Sequence, residues 1–312
     1  MNSLKNKEIT TDLNTFKTFQ SFYSPIIENE LENNIPKPDV KEIEILANAI
    51  KHSLLNGGKR IRPLLTIASN SLFSKNYTEI LPLACALECI HTYGLIHDDL
   101  PAMDDDDFRR GKPTCHKQFG EDIAILAGDT LNTLAFEIIS SKLTPFSTEA
   151  VLIVLNKVCK LTGFNGVVGG QIIDIQSHKI TPSETLLNHL HSKKTGALID
   201  LCILCPAILH QVDSIALSKL TEFSTTVGLL FQIIDDILDV EGDKQSLGKT
   251  PGKDDKLNKL TYPSLFGLQK SKDIAHQKIE LSFDLLSDLH KTFGFNIDNL
   301  KGIVQFIYSR TY

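Results

Sequence analysis

Two clusters of aspartates stand out in the chain, and the first lies in GLIHDDLPAMDDDDFRRGKPT, residues 94–114. Asp98 and Asp99 close a helical pattern, and four residues separate them from the run Asp104–Asp107. Since Pro101 should end the helix, the chain can bend there and return the second set of carboxylates to the first. Carboxylate oxygens suit Mg²⁺, which often shares its coordination shell with substrate phosphates. The cluster therefore predicts a metal site, with a solvated acidic loop as the alternative.

A second acidic cluster lies in FQIIDDILD, residues 231–239, within a stretch that has helical spacing. Gln232, Asp235 and Asp239 share one face of that helix, because residues three and four apart are separated by about one turn. The neighbouring residues are apolar, and two like charges on an apolar helix cost free energy unless a cation offsets them. The pattern therefore predicts a bound cation, with a polar surface stripe as the alternative.

Several cationic side chains lie in loops or at predicted helix ends beside glycine or proline, where they can reach into a cavity. They are Lys59, Arg62, Arg109, Arg110, Lys194 and Lys249. Arginine offers a rigid fork for phosphate oxygens, and lysine offers a movable point charge. Each of them alone is an ordinary surface residue. Together with the two acidic clusters they predict a pocket for two polyanions, one held through metal and the other directly by side chains.

One histidine is placed to join this pocket. His91 precedes Asp98 by seven residues, which is two helical turns and nearly the same helix face. We therefore expect His91 beneath the predicted metal site, with a packed or surface histidine as the alternative.

The elements that must position these residues are helices. No segment alternates apolar and polar residues for long enough to predict a strand, whereas apolar residues at three-to-four spacing recur throughout. The predicted helices are Val40–Leu55, Pro82–Asp99, Ile123–Ser140, Ser147–Thr162, Ser183–Leu209, Ile215–Asp239, Tyr262–Leu286 and Asn299–Ser309, preceded by one over residues 1–35 with a loose start. The count predicts an all-α bundle, with residues 1–312 as a single domain around one core.

Composition and charge indicate which binding partners and which cellular compartment to expect. The chain has 312 residues and a net charge of −6, with Lys and Arg spread along it, so we expect no nucleic-acid partner. The polar N-terminal residues lack the apolar core of a signal peptide. The most apolar stretch, Ala197–Leu209, contains Asp200 and Pro206 and falls short of the roughly 20 residues of a membrane-spanning helix. We expect a cytoplasmic protein with no membrane span.

The six cysteines sit mostly within apolar helical patterns, and a chain of this length does not need disulfides to fold. Cys202 and Cys205 form a CxxC pair, which is a possible zinc or redox motif. No second cysteine or histidine pair completes a tetrahedral site, so core packing is favoured.

Six segments together resemble the motifs of the trans-prenyltransferases, or polyprenyl synthases, and most closely those of the bacterial farnesyl diphosphate synthases. They are GGKRIRP (57–63), ECIHTYGLIHDDLPAMDDDDFRRGKPT (88–114), GGQIIDIQ (169–176), KKTGAL (193–198), FQIIDDILDVEGD (231–243) and LGKTPGKDDKLNKLTYPSL (247–265). They follow the order of the family and span most of the chain. The resemblance implies the all-α isoprenoid synthase bundle, normally a homodimer, with both aspartate motifs facing each other across a deep central cavity.

The resemblance also assigns site residues. About three Mg²⁺ ions would bind to Asp98, Asp99, Asp104, Asp235, Asp236 and Asp239. The diphosphate of the allylic substrate would lie among Arg109, Lys194, Thr195, Gln232, Lys249 and Lys259. Isopentenyl diphosphate would bind to Lys59, Arg62, His91 and Arg110. The catalytic residues implied are Asp98, Asp104, Asp235, Lys194 and Arg109.

The implied reaction needs no nucleophilic side chain. Magnesium and cationic side chains stabilise charge on the leaving diphosphate, and the double bond of isopentenyl diphosphate attacks the resulting allylic cation. Two successive additions, to a dimethylallyl and then a geranyl starter, would give farnesyl diphosphate. Geranylgeranyl diphosphate synthase is the close alternative. A terpene cyclase, whose second motif usually mixes Asn, Ser or Thr and Glu, and a catalytically silent partner subunit are remote ones.

The length of the product is set in this family by the bulk of the fourth and fifth residues before the first aspartate of the first motif, here Gly94 and Tyr93. Gly94 lies one turn below Asp98 and leaves room for a growing tail. The resemblance makes Tyr93 the floor that stops growth, although a helical wheel puts it about 140° from Asp98. Simple core packing of Tyr93 is the alternative.

Overall fold

Apolar residues at three-to-four spacing build helices along most of the chain, as the sequence predicts. The computed structural model describes residues 2–241 and 260–310, with side chains from residue 12 onward except at 178. The helices of the first half are α1 (Asn2–Asn34), α2 (Glu44–Leu54), α3 (Ile61–Asn70), α4 (Leu81–Asp98), α5 (Cys115–Phe119), α6 (Glu121–Lys142) and α7 (Thr148–Thr162). Short 3₁₀ turns cover Lys41–Ile43 and Tyr77–Glu79, and a two-stranded hairpin pairs β1 (Phe108–Arg109) with β2 (Lys112–Pro113).

The second half is helical as well. Its helices are α8 (Val167–Gln176), α9 (Glu184–His191), α10 (Ala197–Leu209), α11 (Ser214–Glu241), α12 (Tyr262–Phe266), α13 (Leu268–Phe293) and α14 (Asp298–Ser309). A 3₁₀ turn, Ser177–Lys179, follows α8, and a π-helical segment, Ser192–Gly196, joins α9 to α10 without a break. The prediction of an all-α protein is confirmed.

The helices that carry the two aspartate clusters are core helices. α4 packs against α6, and α11 packs against α13 and α10. α10 is buried along nearly its whole length between α3, α7 and α11, as its all-round apolar composition predicts. Because α4 ends at Asp98 and α11 ends just after Asp239, each cluster lies at the C-terminal end of a rigidly packed helix.

Several predicted boundaries are wrong, each for a local reason. The stretch predicted as a loop after Leu55 is only partly a loop, because α3 begins at Ile61 and takes Arg62 into its first turn. Helix α8 was not predicted. The predicted helix Tyr262–Leu286 is broken at Gly267, whose φ of +80° ends α12, and α13 continues to Phe293.

The cysteines behave as predicted, with one exception. All six are free, and Cys202 and Cys205 are fully buried in α10, where burial raises the pKa of the Cys202 thiol to about 12. Only Cys159 is exposed. The CxxC pair is therefore part of the core.

Two stretches are long and apolar enough to cross a membrane by length and composition alone, namely Glu121–Lys142 and Thr148–Gln176. The first is α6, a helix packed on α4. The second is divided by residues 163–166 into α7 and α8, of 15 and 10 residues, and each falls short of the roughly 20 residues that a span requires. Neither stretch is convincing as a membrane span.

Candidate active site

The loop after α4 folds back onto the end of that helix, as the position of Pro101 predicts. The backbone N–H of Asp104 donates to the carbonyl of Asp98 over 2.9 Å, and that of Asp106 donates to the carbonyl of Asp99 over 3.2 Å. These bonds bring both parts of the first acidic cluster to the same end of α4.

In the hairpin that follows, the adjacent residues Arg109 and Arg110 contact different partners. Arg110 and Gly111 form its two-residue turn with φ values of +53° and +77°, and positive φ at both central positions is typical of a tight hairpin turn. Arg109, on β1, reaches back to Asp99. Arg110 donates instead to the carbonyl of Gly57.

Asp99 and Arg109 form a buried, multiply bonded ion pair. Nε of Arg109 lies 2.8 and 2.9 Å from the two carboxylate oxygens of Asp99, and Nη2 lies 2.5 Å from Oδ1. Burial alone would lower the pKa of Arg109, but the hydrogen bonds and charge of Asp99 raise it above its ordinary value. Asp106 adds a longer contact of 3.7 Å to Nη2. The carboxylate of Asp99 is thus already occupied by protein donors.

Gly57 and Gly58 permit the close approach of Arg110. A Cβ on Gly58 would lie 2.7 Å from the guanidinium carbon of Arg110, and both glycines have positive φ. Any other residue at Gly58 would push the guanidinium away. The two glycines therefore let Arg110 reach the loop that carries Lys59.

Asp98 is a carboxylate whose charge the protein only partly offsets. Burial raises its pKa to about 6, the nearby charges of Asp104 and Asp99 add to the rise, and Lys194 and Arg109 oppose it. Its Oδ1 accepts a hydrogen bond from Gln171 of α8. The cost of keeping Asp98 ionised falls when a further positive charge is bound beside it.

The π-helical segment connects α8 to the site. Nζ of Lys194 lies 2.6 Å from Oδ2 of Asp174, so α8 holds both Asp98, through Gln171, and Lys194. A Cβ on Gly170 would lie 2.5 Å from the backbone nitrogen of Lys194, so that the two backbones can touch only because residue 170 is glycine. Local π-helical widening of this kind often marks functional sites.

Asp236, in the second cluster, is also buried and fully bonded. Its Oδ1 accepts from Nε2 of Gln232 over 2.9 Å, and its Oδ2 accepts from the backbone N–H of Tyr262 over 2.9 Å. Nε2 of His191 lies 3.5 Å from the same Oδ2, and burial lowers the pKa of His191 to about 3. The hydroxyl of Thr195 donates to Oε1 of Gln232 over 2.6 Å. The π-helical segment is thereby linked to both acidic clusters.

Asp235 and Asp239 lie on a different face of α11 from Asp236, and both are partly exposed. Nη2 of Arg310, just beyond α14, lies 2.9 Å from Oδ1 of Asp235. The guanidinium of Arg310 also stacks over Phe231, 4.5 Å from the ring centroid. The predicted metal-facing pair therefore borders a cationic residue that was not predicted.

The residues predicted for isopentenyl diphosphate form a region of crowded positive charge. Burial and the charge of Arg310 lower the pKa of Lys59, and burial lowers the pKa of Arg62, whose Nε has no hydrogen-bond partner. Burial and the surrounding arginines, Arg62 first among them, hold the pKa of His91 well below its usual value. These shifts indicate positive charge without enough counter-charge, which favours binding of an anion.

The two predicted chain-length residues differ in their surroundings. Apart from its chain neighbours and the backbone of its own helix, nothing lies within 4 Å of the position of a Cβ on Gly94, so that residue borders open space. Tyr93 is half-buried against the core, and its ring meets that of His97 edge to face at 5.7 Å. The space beside Gly94 agrees with room for a tail, and the role of Tyr93 stays a prediction.

Two predicted residues, Lys249 and Lys259, lie outside the described residues. Sequence reasoning in turn missed Gln171 and Asp174, although their spacing in GGQIIDIQ, three apart in an otherwise apolar segment, puts both on one helix face. No local pattern points to His191, Tyr262 or Arg310, because each joins the site only through tertiary contacts.

Known proteins resemble this chain in both sequence and structure. The family model described as polyprenyl synthetase matches residues 43–288. A chloroplastic geranylgeranyl pyrophosphate synthase of Catharanthus roseus is 46% identical over 76% of this chain and 67% of its own length. A farnesyl diphosphate synthase of Micrococcus luteus is 44% identical over 85% of this chain and 89% of its own length.

A solved structure extends the likeness to the fold. A geranyltransferase of Helicobacter pylori, solved with magnesium and an isoprenyl diphosphate, is 30% identical and superposes with a TM-score of 0.85. The match covers 93% of this chain and 98% of that one. The helical arrangement described above is therefore the arrangement of the isoprenyl synthases.

Proposed function

Because this chain belongs to the polyprenyl synthetase family, a family of prenyltransferases, we propose that it condenses isopentenyl diphosphate head to tail with dimethylallyl and then geranyl diphosphate to give farnesyl diphosphate. The observation that carries the proposal is the chain of contacts between the two acidic clusters. It runs from Asp98 through α8 to Lys194, and from Thr195 through Gln232 to Asp236.

The residues at these clusters fit magnesium. Asp98 is a half-buried carboxylate with a raised pKa, and a divalent cation bound beside it would lower the cost of keeping it ionised. Among residues 2–241 and 260–310, no three acidic, histidine or cysteine side chains form a metal site by themselves. Mg²⁺ commonly takes water and phosphate oxygens for the rest of its shell, so a few carboxylates can hold it together with substrate. About three ions would be held at Asp98, Asp104, Asp235 and Asp239, and at Asp99 and Asp236 if these released protein donors.

When bound, magnesium neutralises negative charge on the allylic diphosphate and so helps its carbon–oxygen bond to break. Lys194, Thr195, Gln232 and Arg109 would orient that diphosphate, with Lys249 and Lys259 as further contacts, and Lys194 and Arg109 would stabilise the charge that develops on it. Lys59, Arg62, His91 and Arg110 would hold isopentenyl diphosphate through its own diphosphate. The buried apolar helices around the clusters would exclude water from the allylic cation, and the departing diphosphate would take the proton lost after attack.

Farnesyl diphosphate is the proposed product because Tyr93 supplies bulk about one and a half turns before the end of α4. The open space beside Gly94 favours a longer product, so geranylgeranyl diphosphate is the second candidate. The relatives include a geranylgeranyl pyrophosphate synthase and a farnesyl diphosphate synthase. A terpene cyclase is disfavoured by the all-aspartate second motif, and a silent subunit is disfavoured because both acidic motifs are complete.

We also propose a homodimer in the cytoplasm. Exposed Ile125 and Leu126 on α6 support burial of this helix against a second copy. Six free cysteines support a reducing compartment. Light scattering on the purified protein tests the dimer, and a monomeric mass at micromolar concentration would contradict it.

One assay tests the activity and the product together. Purified protein is incubated with labelled isopentenyl diphosphate and each allylic starter in turn, in magnesium or in EDTA, and the products are sized. We expect magnesium-dependent elongation that stops at a chain of 15 carbons. A 20-carbon product selects the second candidate, a cyclic hydrocarbon indicates a cyclase, and no elongation contradicts the proposed activity.

A further inference from the structure

Arg60 lies between two proposed diphosphate-binding residues, Lys59 and Arg62, but its side chain runs into the protein interior. Only 3% of Arg60 is exposed. Its backbone adopts the left-handed conformation, with φ of +49°, which is uncommon for a residue other than glycine. Such a conformation persists only where the surrounding structure holds it. The contacts of the Arg60 side chain supply that restraint.

The guanidinium of Arg60 is bonded to three helices at once. Nε and Nη2 lie 2.6 and 3.0 Å from the two carboxylate oxygens of Glu28 on α1. Nη1 lies 2.8 Å from Oε1 of Glu88 on α4, and Nη2 also donates to the carbonyl of Leu54 at the end of α2 over 2.7 Å. Planar, multiply bonded pairing of this kind fixes direction as well as distance.

The backbone of Arg60 transmits this anchor to the loop and to α3. Its carbonyl accepts from the N–H of Leu64 over 3.0 Å, which begins α3. Gly57 and Gly58, before it, have positive φ and no side chains to restrain them. Arg60 is therefore the residue of the segment Gly57–Arg62 whose buried side chain ties it to three helices, in addition to the bonds that the carbonyls of Gly57 and Lys59 accept from Arg110 and Gln20.

Glu88 also supplies negative charge to the neighbouring cations. It is buried, and its charge opposes the lowering of the pKa of both Arg62 and Arg110. His91 follows Glu88 by three residues on the same helix, so the two lie about one turn apart. The carboxylate of Glu88 thus offsets the positive charge of Arg60 and also interacts with Arg62 and Arg110, which are proposed to hold isopentenyl diphosphate.

We propose that Arg60 is a positioning residue, and that the Glu28–Arg60–Glu88 network fixes Lys59 and Arg62 so that they bind the diphosphate of isopentenyl diphosphate. The inference rests on the proposed function. Without the anchor, the glycine-containing loop must be ordered when the substrate binds, and that cost weakens binding. Binding of the allylic diphosphate should be unaffected by loss of this network. Lys194, Thr195 and Gln232 are held by contacts that do not include Arg60.

The test compares the KM for each substrate in variants of the network. Glu28→Gln is the mildest variant, since 37% of the Glu28 side chain is exposed, and Arg60→Lys and Arg60→Met are progressively stronger. Glu32→Gln is the matched control, because Glu32 lies one turn along α1 and forms an exposed ion pair of 2.6 Å with Lys51. Melting temperature and calorimetric affinity for isopentenyl diphosphate without a starter are measured for each.

We expect Glu28→Gln to raise the KM for isopentenyl diphosphate about tenfold, because ordering one flexible side chain on binding has a cost of about this size. The KM for geranyl diphosphate and kcat should stay within about twofold, as should every constant of Glu32→Gln. Arg60→Met should raise the KM for isopentenyl diphosphate more than Glu28→Gln does, and the rise caused by Arg60→Lys should lie between these two.

Two results would overturn the inference. The first is a Glu28→Gln variant whose melting temperature falls while the KM values for isopentenyl diphosphate and geranyl diphosphate stay unchanged. The second is a Glu28→Gln variant in which these two KM values rise equally. If Arg60→Met does not fold, Glu28→Gln and Arg60→Lys decide the question. Wild-type protein that binds isopentenyl diphosphate without elongating it contradicts the proposed function alone, and the calorimetric affinities then decide the role of Arg60. Wild-type protein that does not bind this substrate contradicts both.

Discussion

Gly170 and Lys194 lie so close together that a Cβ on Gly170 would come within 2.5 Å of the backbone nitrogen of Lys194. Gly170 precedes Gln171, which donates to Asp98, and Lys194 is bonded to Asp174. This close backbone contact and the Lys194–Asp174 ion pair together hold α8 against the π-helical segment.

Gly170→Ala should destabilise the protein by about 1–3 kcal/mol, because the added methyl group meets backbone and cannot be accommodated by a rotamer change. It should also lower kcat/KM for the allylic starter, since Gln171 and Lys194 move apart. Gly94→Ala is the matched control for stability, because the same methyl group meets open space within a helix. Urea unfolding measures both, and equal stabilities of the two variants would contradict the close contact.

The first two aspartates of the first cluster should respond differently to substitution. Asp98→Asn removes a carboxylate proposed to face metal and should lower activity at least about a hundredfold, with a higher magnesium requirement. Asp99→Asn breaks the buried pair with Arg109 and should cost about 3 kcal/mol of stability.

Asp107→Asn is the control for both, since Asp107 pairs with Lys117 at the surface, and it should leave activity and the unfolding midpoint unchanged. Activity is measured across a magnesium titration and stability by thermal unfolding. If Asp98→Asn and Asp99→Asn lost activity and stability alike, the distinction between the two carboxylates would be wrong.

Tyr93 is the proposed limit on product length. Tyr93→Ala should lengthen the main product by at least one five-carbon unit, because the floor beneath the growing tail is removed. Tyr93→Phe keeps the ring and should leave the product distribution as it is in wild type. The products are sized by chromatography after incubation with geranyl diphosphate. An unchanged distribution in Tyr93→Ala would leave Tyr93 as a core residue only.

His210 should make stability depend on pH. Its Nε2 is hydrogen-bonded to Oδ1 of Asn70 over 2.8 Å, and burial lowers its pKa below the ordinary value of 6.5, although Glu79 opposes the shift. A histidine with a depressed folded-state pKa contributes stability above its unfolded pKa, and that contribution is lost as the pH falls below about 6.5.

His210→Gln should therefore reduce the loss of unfolding free energy between pH 7.5 and pH 5.5. Urea unfolding at both values, compared with wild type, measures the difference. The same slope in the two proteins would show that His210 does not contribute to it.

The helices were largely predictable, because helical spacing is a local property. α4, α7 and α11 end close to where the apolar pattern and its flanking residues place them. The start of α3 was missed because Lys59 and Arg60, beside two glycines, read as a loop. Pro63 indicated that a helix begins here, because proline is tolerated in the first turn of a helix.

The sequence predicted candidate residues for the site but not how each of them is bonded. The resemblance assigned Asp98 and Asp99 to metal together, yet Asp99 is bonded to Arg109 and Asp98 is not bonded to any arginine within the described residues. Asp235 and Asp236 differ as well, because Asp236 is buried and accepts from Gln232 and Tyr262, whereas Asp235 is partly exposed and pairs with Arg310. Adjacent residues on a helix point in directions about 100° apart, so neighbours of one chemical type meet different surroundings.

The sequence by itself determined the helical class, the two acidic clusters and the family, because these depend on residue types and their spacing along the chain. Only the tertiary structure decided which protein groups each carboxylate is bonded to. It alone joined Lys194 to Asp174, Asp236 to Tyr262 and Arg60 to Glu28. The physical reason is that burial and pairing depend on residues far apart in sequence, and these partners meet only when the helices pack.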